Sequence, residues 1–96
     1  MKPLNSTLQT TGVGELYAQL GASAQVKAGE GLLAGIFVSS GTGGSITVYD
    51  SLTGSGTIAI NTFNTTAGVW YPLPIHFLVG CYVVISGTIQ ITVVYS

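Results

Sequence analysis

The sequence predicts an all-β protein, built either as a sandwich or as a small barrel. Apolar and polar residues alternate with a period of two in several short runs, which is the pattern of half-buried strands. These runs are rich in β-branched and aromatic residues, which favour a pleated sheet. Glycine-rich turn signals separate them at short, regular spacing, and together they predict about seven or eight strands in one domain at residues 21–96.

The strands differ in how clearly they alternate. A weak run lies at 22–28. The clearest runs lie at 45–50, 81–85 and 89–95. In the first two of these, Ile46, Val48 and Cys81 are expected to face inward, with Cys81 acting as a small buried hydrophobe. Residues 32–38 are apolar on both faces, so we expect them to form a central strand that is buried on each side.

Glycine positions predict where the chain turns. Residues 41–44 read Gly-Thr-Gly-Gly and are expected to form a hairpin loop between two strands. Residues 86–87 are expected to form a tight turn that is close to hairpin geometry.

The middle of the chain is predicted as a further pair of strands. Residues 64–68 are expected to close a pair between 57–63 and 69–71. Two prolines, at positions 72 and 74, cannot donate hydrogen bonds to a central ladder, so residues 72–77 are predicted as a loop or an edge.

The N-terminal residues differ from the rest, and we assign residues 1–20 to an extended arm or tail. Residues 5–12 are polar and threonine-rich, with no apolar face to bury. They form either a disordered tail or an arm that orders only against a neighbouring subunit. Residues 16–20 are more apolar and are an alternative start for the first strand.

Charged residues make up 5% of the 96 residues, whereas a soluble domain usually has about 25%. Two cations offer little to neutralise phosphates, so nucleic acid is not an expected partner. No run reaches about 18 apolar residues, which argues against a transmembrane helix, and residues 1–14 lack the apolar core of a signal peptide. A free monomer near charge neutrality tends to associate, so we expect a permanent assembly.

No catalytic residue, cofactor site or metal site is predicted. A single cysteine cannot form an intramolecular disulfide, and one cysteine with one histidine provides too few ligands for a protein zinc site. No spacing brings two of Glu15, Glu30 and Asp50 together for acid–base catalysis, and Asp50 is expected to accept backbone N–H bonds in the loop that follows it. A nucleophilic pair of His76 and Cys81 would lack the electropositive setting that produces a thiolate.

Two adjacent aromatic residues, Trp70 and Tyr71, are the best candidates for a binding surface. Neighbouring residues of a strand point to opposite faces, so one is expected to fill the core and the other to face outward. An exposed aromatic residue either anchors a protein interface or stacks against a sugar ring. The interface is the preferred interpretation, because only Asn, Gln, Ser and Thr are available to grip sugar hydroxyls.

Four segments together carry a resemblance to a known family. They read VKAGEGLLAGIFV at 26–38, GGSITVYD at 43–50, YPLP at 71–74 and GCYVVISGT at 80–88. The set resembles the capsid decoration, or cement, proteins of tailed bacteriophages over roughly residues 22–95. That resemblance implies a single small antiparallel β-sandwich, jelly-roll-like, and a virion structural protein without catalytic residues.

The resemblance also implies a location and partners. The expected place is the capsid surface of the virion, reached after synthesis in the host cytoplasm, and the expected partner is the major capsid protein. There the protein would cement neighbouring capsomers as a homo-oligomer, a trimer in preference to a dimer. The predicted interface residues are Leu4 and Leu8 in the arm and Trp70, Tyr71 and Phe77 in the domain.

The alternative function is a head-fibre or tail-associated module for host attachment. In that case the β-sandwich would bind host-surface carbohydrate through Trp70 or Tyr71.

Overall fold

The structure is a computed structural model that describes residues 16–96. This part of the chain is all-β and contains no helix, which confirms the predicted class. Its strands form one antiparallel sheet. In chain order they are β1 Leu16–Leu20, β2 Ala24–Ala28, β3 Gly31–Asp50, β4 Thr57–Asn64, β5 Val69–Phe77 and β6 Gly80–Tyr95.

Two long strands, β3 and β6, form the centre of the sheet. They pair from Leu33 opposite Tyr95 to Tyr49 opposite Tyr82. At one end of this pair β1 lies beside β6 and β5 lies beside β3, and we call this end the β1/β5 half. At the other end β2 lies beside β6 and β4 lies beside β3, and we call it the β2/β4 half.

The two glycine segments predicted as hairpin turns lie inside the long strands. Residues 41–44 belong to β3 and residues 86–87 to β6, so each strand continues where a reversal was expected. The register of β3 against β6 shifts between Thr42 and Ser45, and Gly41 has a φ of 111°. Glycine serves a bulge as readily as a turn, and the long-range pairing with the other central strand selects the bulge. The described residues therefore form six strands, fewer than the predicted seven or eight.

The long strand β3 is bent. Its 20 residues would span about 66 Å if they were straight. The described residues extend only 44 Å along their longest axis. The bulge at residues 41–44 separates the part of the strand that pairs with β5 from the part that pairs with β4.

Strands β4 and β5 exist close to where they were predicted, but they do not pair with each other. Each pairs with a different part of β3, so residues 64–68 carry the chain from one half of the sheet to the other. This link is held by N–H bonds from Thr65 to the Gly44 carbonyl (3.0 Å) and from Gly68 to the Val38 carbonyl (2.7 Å). Among the described strands β5 pairs with β3 alone, so of the two alternatives predicted for residues 72–77, a loop or an edge, the structure shows an edge strand.

The first strand begins inside the segment assigned to the arm. Residues Leu16–Leu20 pair with β6, so they belong to the sheet, and the arm assignment of 1–20 is too long by these residues. The remainder of the predicted arm lies outside the described residues.

One cluster of buried apolar side chains draws on both halves of the sheet. The predicted inward residues Ile46, Val48 and Cys81 are all buried. The prediction that residues 32–38 are buried on each side is wrong for Phe37, which is 37% exposed. The full cluster contains Leu33, Ile36, Val38, Ile46, Val48, Phe77, Cys81, Val83, Ile89, Ile91 and Val93.

Candidate functional site

The predicted interface residues have different environments. Leu4 and Leu8 lie outside the described residues. Phe77 is 2% exposed and belongs to the core, so its side chain offers no surface to a partner and its assignment to an interface is corrected. Its burial follows from strand alternation, because Phe77 lies six positions after Tyr71, an even spacing that puts both side chains on the inner face of β5. The prolines between them obscured this period in the sequence.

Trp70 and Tyr71 point to opposite faces, as predicted. Trp70 is 45% exposed on the outer face of the β1/β5 half. Tyr71 is half-buried, with its ring centroid 5.3 Å from that of Phe63, and its hydroxyl oxygen accepts an N–H bond of 2.9 Å from Thr66. Tyr71 therefore holds the link between β4 and β5, and Trp70 is the aromatic residue that remains available at the surface.

The sheet register brings two further aromatic residues to the same outer face. Trp70 lies opposite Phe37, and Phe37 lies opposite Thr92, which in turn lies opposite Gln19. In the adjoining cross-strand row Pro72 lies opposite Gly35, Gly35 lies opposite Val94, and Val94 lies opposite Tyr17. Tyr17 is 69% exposed. We call Tyr17, Phe37 and Trp70 the aromatic face.

Sequence reasoning missed Tyr17 and Phe37. Both lie in short runs with apolar neighbours, and the segment around Phe37 was interpreted as buried on both sides. Strand alternation alone places Phe37 on the side opposite Ile36 and Val38. Only the neighbouring strands determine which of the two sides is covered.

A glycine positions the indole of Trp70. A Cβ atom built on Gly35 would lie 2.6 Å from two carbons of the Trp70 ring, closer than real side chains approach. The ring therefore lies directly over the backbone of β3. This packing keeps Trp70 against the sheet while much of its surface faces solvent.

A concave site of about 370 Å³ adjoins the aromatic face. Phe37 supplies its aromatic wall, and Ser39 donates a hydrogen bond of 3.1 Å to the Gln90 carbonyl at its margin. The carboxamide of Gln90 lies over Gly21, where a Cβ atom would come within 2.8 Å of its nitrogen. The remaining lining residues are Gln19, Ser40, Ile91 and Thr92.

Asp50 holds a turn that is distant in sequence. Its carboxylate accepts N–H bonds from Leu78 (3.0 Å), Val79 (2.8 Å) and Gly80 (3.3 Å), which connect β5 to β6. The acceptor role was predicted, but its donors belong to this turn and not to the loop that follows Asp50. The bonds from Leu78 and Val79 lower the pKa of the Asp50 carboxyl below its usual value.

His76 lies beside Glu30 at the surface, whereas Cys81 lies in the core. His76 Nε2 lies 2.6 Å from Glu30 Oε2, and both side chains are more than half exposed. Burial, and next to it the charge of Asp50, raise the pKa of the Cys81 thiol to about 11, so Cys81 is a neutral core residue at pH 7. Among residues 16–96, no group of three or more His, Cys, Asp and Glu side chains is placed to hold a metal ion.

The comparisons with known proteins add no relative. No family model, curated protein or solved structure matches this chain. Residues 16–96 contain no helix with the length and hydropathy needed to cross a membrane.

Proposed function

We propose that this protein is a non-enzymatic virion structural protein that binds the outside of a phage capsid and cements neighbouring capsomers. The observation that carries the proposal is the character of its surface, which combines few charges with exposed large hydrophobic side chains. Among the described residues these are Leu16, Tyr17, Phe37, Leu52, Ile58, Trp70, Leu78 and Val79. Such a surface suits a protein that is permanently covered by neighbours.

The proposed architecture is a small sandwich in which the two halves of the sheet cover each other. Ile36 and Val93 from the β1/β5 half and Ile46 and Val83 from the β2/β4 half are all 0% exposed within one cluster. A flat single-layer sheet would leave one face of these strands open to water, so complete burial favours two stacked layers. The bend in β3 supports the same arrangement.

In the proposed complex the aromatic face contacts the major capsid protein. Aromatic residues are enriched in interfaces and dominate their binding energy. A homo-oligomer, which we propose to be a trimer, would present several copies of this face, and its modest contacts would add through a high effective concentration. Leu4 and Leu8 remain proposed contacts of the arm.

The test measures binding to expanded capsids that lack the protein. Full-length protein is added, and occupancy and the temperature of capsid disruption are measured. Trp70→Ser together with Tyr17→Ser is expected to raise the Kd for capsids, obtained from occupancy against protein concentration, by tenfold or more, or about 1.4 kcal/mol, because both are exposed anchors. Ile58→Ser on the β2/β4 half is the matched control, since Ile58 is similarly exposed at 47%.

Two results would contradict the proposal. One is a capsid whose disruption temperature is the same with and without bound protein. The other is a stoichiometry of a few copies per purified virion, which would indicate a vertex or tail component.

A further inference from the structure

The concave site beside Phe37 combines an aromatic wall with uncharged polar groups from three adjacent strands. Gln19 of β1, Thr92 of β6 and Phe37 of β3 lie side by side in one cross-strand row. Gln90 and Ser40 pair with each other in the neighbouring part of the sheet. The site is thus built on paired strands, which hold side chains more precisely than loops do.

The sequence disfavoured sugar binding because only uncharged polar side chains could bind hydroxyls, but strand pairing gathers several of these side chains around one site. Gln19 and Gln90 each carry a carboxamide with two donors and an acceptor, and Ser40 and Thr92 each carry a hydroxyl that donates and accepts. A ligand hydroxyl also donates and accepts, so it can satisfy either kind of group. At about 370 Å³ the site falls in the range of roughly 300–1,000 Å³ that is typical of small-ligand sites.

Other classes of ligand fit this lining poorly. The lining contains no Lys, Arg, His, Asp or Glu, so an ionic ligand would lose hydration without meeting an opposite charge. A wholly apolar ligand would cover the carboxamides and hydroxyls without replacing their hydrogen bonds to water. The lining favours an uncharged molecule that has both an apolar face and several hydroxyls.

We propose that this site binds a neutral carbohydrate, with one sugar ring packed against Phe37 and its hydroxyls bonded to Gln19 and Gln90. Trp70, opposite Phe37 on the neighbouring strand, extends the platform toward a second ring. Tyr71 has no part in it, because its ring packs against Phe63. Phe37 and Trp70 also belong to the aromatic face, so a sugar and a capsid protein would exclude each other there, and the proposed carbohydrate binding is a property of the free protein.

The experiment is an NMR titration of the full-length protein with uncharged oligosaccharides of gluco, galacto and manno configuration. Concentrations up to about 10 mM detect complexes with a Kd near 1 mM. At least one series is expected to shift the side-chain amide resonances of Gln19 and Gln90 and the indole N–H of Trp70. The side-chain amide of Gln25, which lies on β2 in the other half, is expected to stay unshifted.

Two variants test the contacts, and a third is their control. Gln90→Ala removes a hydrogen-bonding group and Phe37→Leu removes the ring, and each is expected to weaken binding about five- to tenfold. Gln25→Ala removes an exposed glutamine outside the site and is expected to leave the affinity unchanged. Thermal melts establish that each variant is folded, and Gln90→Ala alone decides the matter if Phe37→Leu does not fold.

Several outcomes would overturn the proposal. One is the absence of any shift at Gln19 and Gln90 with all three series. Another is an affinity that falls equally in Gln25→Ala and Gln90→Ala. A third, from a parallel titration with sulfated and carboxylated oligosaccharides, is binding restricted to those charged ligands, because the site has no positive charge to receive them.

Discussion

At the scale of single residues, Asp50 shows how one carboxylate holds two distant parts of the chain together. It ends β3, yet its donors Leu78, Val79 and Gly80 connect β5 to β6. The Val79 carbonyl in turn accepts an N–H bond of 2.9 Å from Gly29. The turn is therefore fixed through its backbone, while the side chains of Leu78 and Val79 remain exposed.

Replacing Asp50 by Asn is expected to lower the free energy of unfolding by about 1 kcal/mol near neutral pH. The change removes charge-assisted bonds, whose value is reduced because water competes at this exposed position. Urea unfolding of both proteins measures the difference. Glu30→Gln is the charge-matched control, since it removes one negative charge without altering this turn, and it is expected to have a smaller effect.

The effect of Asp50 is expected to depend on pH. Its pKa is lower in the folded than in the unfolded protein, so its stabilisation is complete above the unfolded value of about 3.9 and is lost as the pH falls through the folded value. The stability difference between wild type and Asp50→Asn should stay constant from neutral pH to about pH 5 and shrink below about pH 4. A difference that grows on acidification would contradict this assignment.

At the scale of elements, the bulge in β3 is the feature that shapes the sheet. Gly41 has a φ of 111°, and a Cβ atom there would meet the backbone of Thr88 and Ile89 in the paired strand. Gly43, two residues on, has a φ of 69° but has no neighbouring atom within 4 Å of such a Cβ. Substitutions at the two positions therefore distinguish the cost of a left-handed backbone from the cost of a steric clash.

Alanine is expected to be more harmful at Gly41 than at Gly43. Gly43→Ala requires only the left-handed conformation and should cost about 1 kcal/mol of stability. Gly41→Ala adds a clash with a paired strand and should cost about 2–3 kcal/mol. Thermal or urea unfolding of the two variants compares them. Equal stability of both variants would mean that β3 does not pass Thr88 and Ile89 as described.

At the scale of the whole molecule, the described surface is nearly uncharged and several large hydrophobic side chains interrupt it. His76 Nε2 lies 2.6 Å from Glu30 Oε2, and the Asp50 carboxylate accepts backbone N–H bonds. The aromatic face contains no charged residue, so contacts made through it depend on apolar burial rather than on charge.

Capsid binding through the aromatic face is therefore expected to respond weakly to salt and strongly to a charge placed on that face. The affinity for capsids measured at about 0.05 M and about 0.5 M NaCl should be the same, because screening acts only on charged contacts. Trp70→Lys should weaken capsid binding by tenfold or more in Kd, whereas Ile58→Lys should not. Release of the wild-type protein from capsids by salt alone would contradict an apolar interface.

Much of the local structure was predictable because strand alternation depends on nearest neighbours. The runs at 45–50 and 81–85 form strands, Cys81 is buried, and Trp70 and Tyr71 lie on opposite faces. The two prolines excluded a central position and left a loop or an edge, since proline lacks the N–H that a central ladder needs, and β5 is an edge strand among the described residues. These features follow from the chemistry of residues that are adjacent in the chain.

The sequence by itself determined that the chain forms strands, and which side chains share a face. Only the tertiary structure decided which strands pair and which face is covered. A glycine-rich segment permits either a turn or a bulge, and the choice at residues 41–44 depends on the distant strand β6. The concave site likewise needs β1, β3 and β6 side by side, and residues far apart in sequence become neighbours only through that pairing.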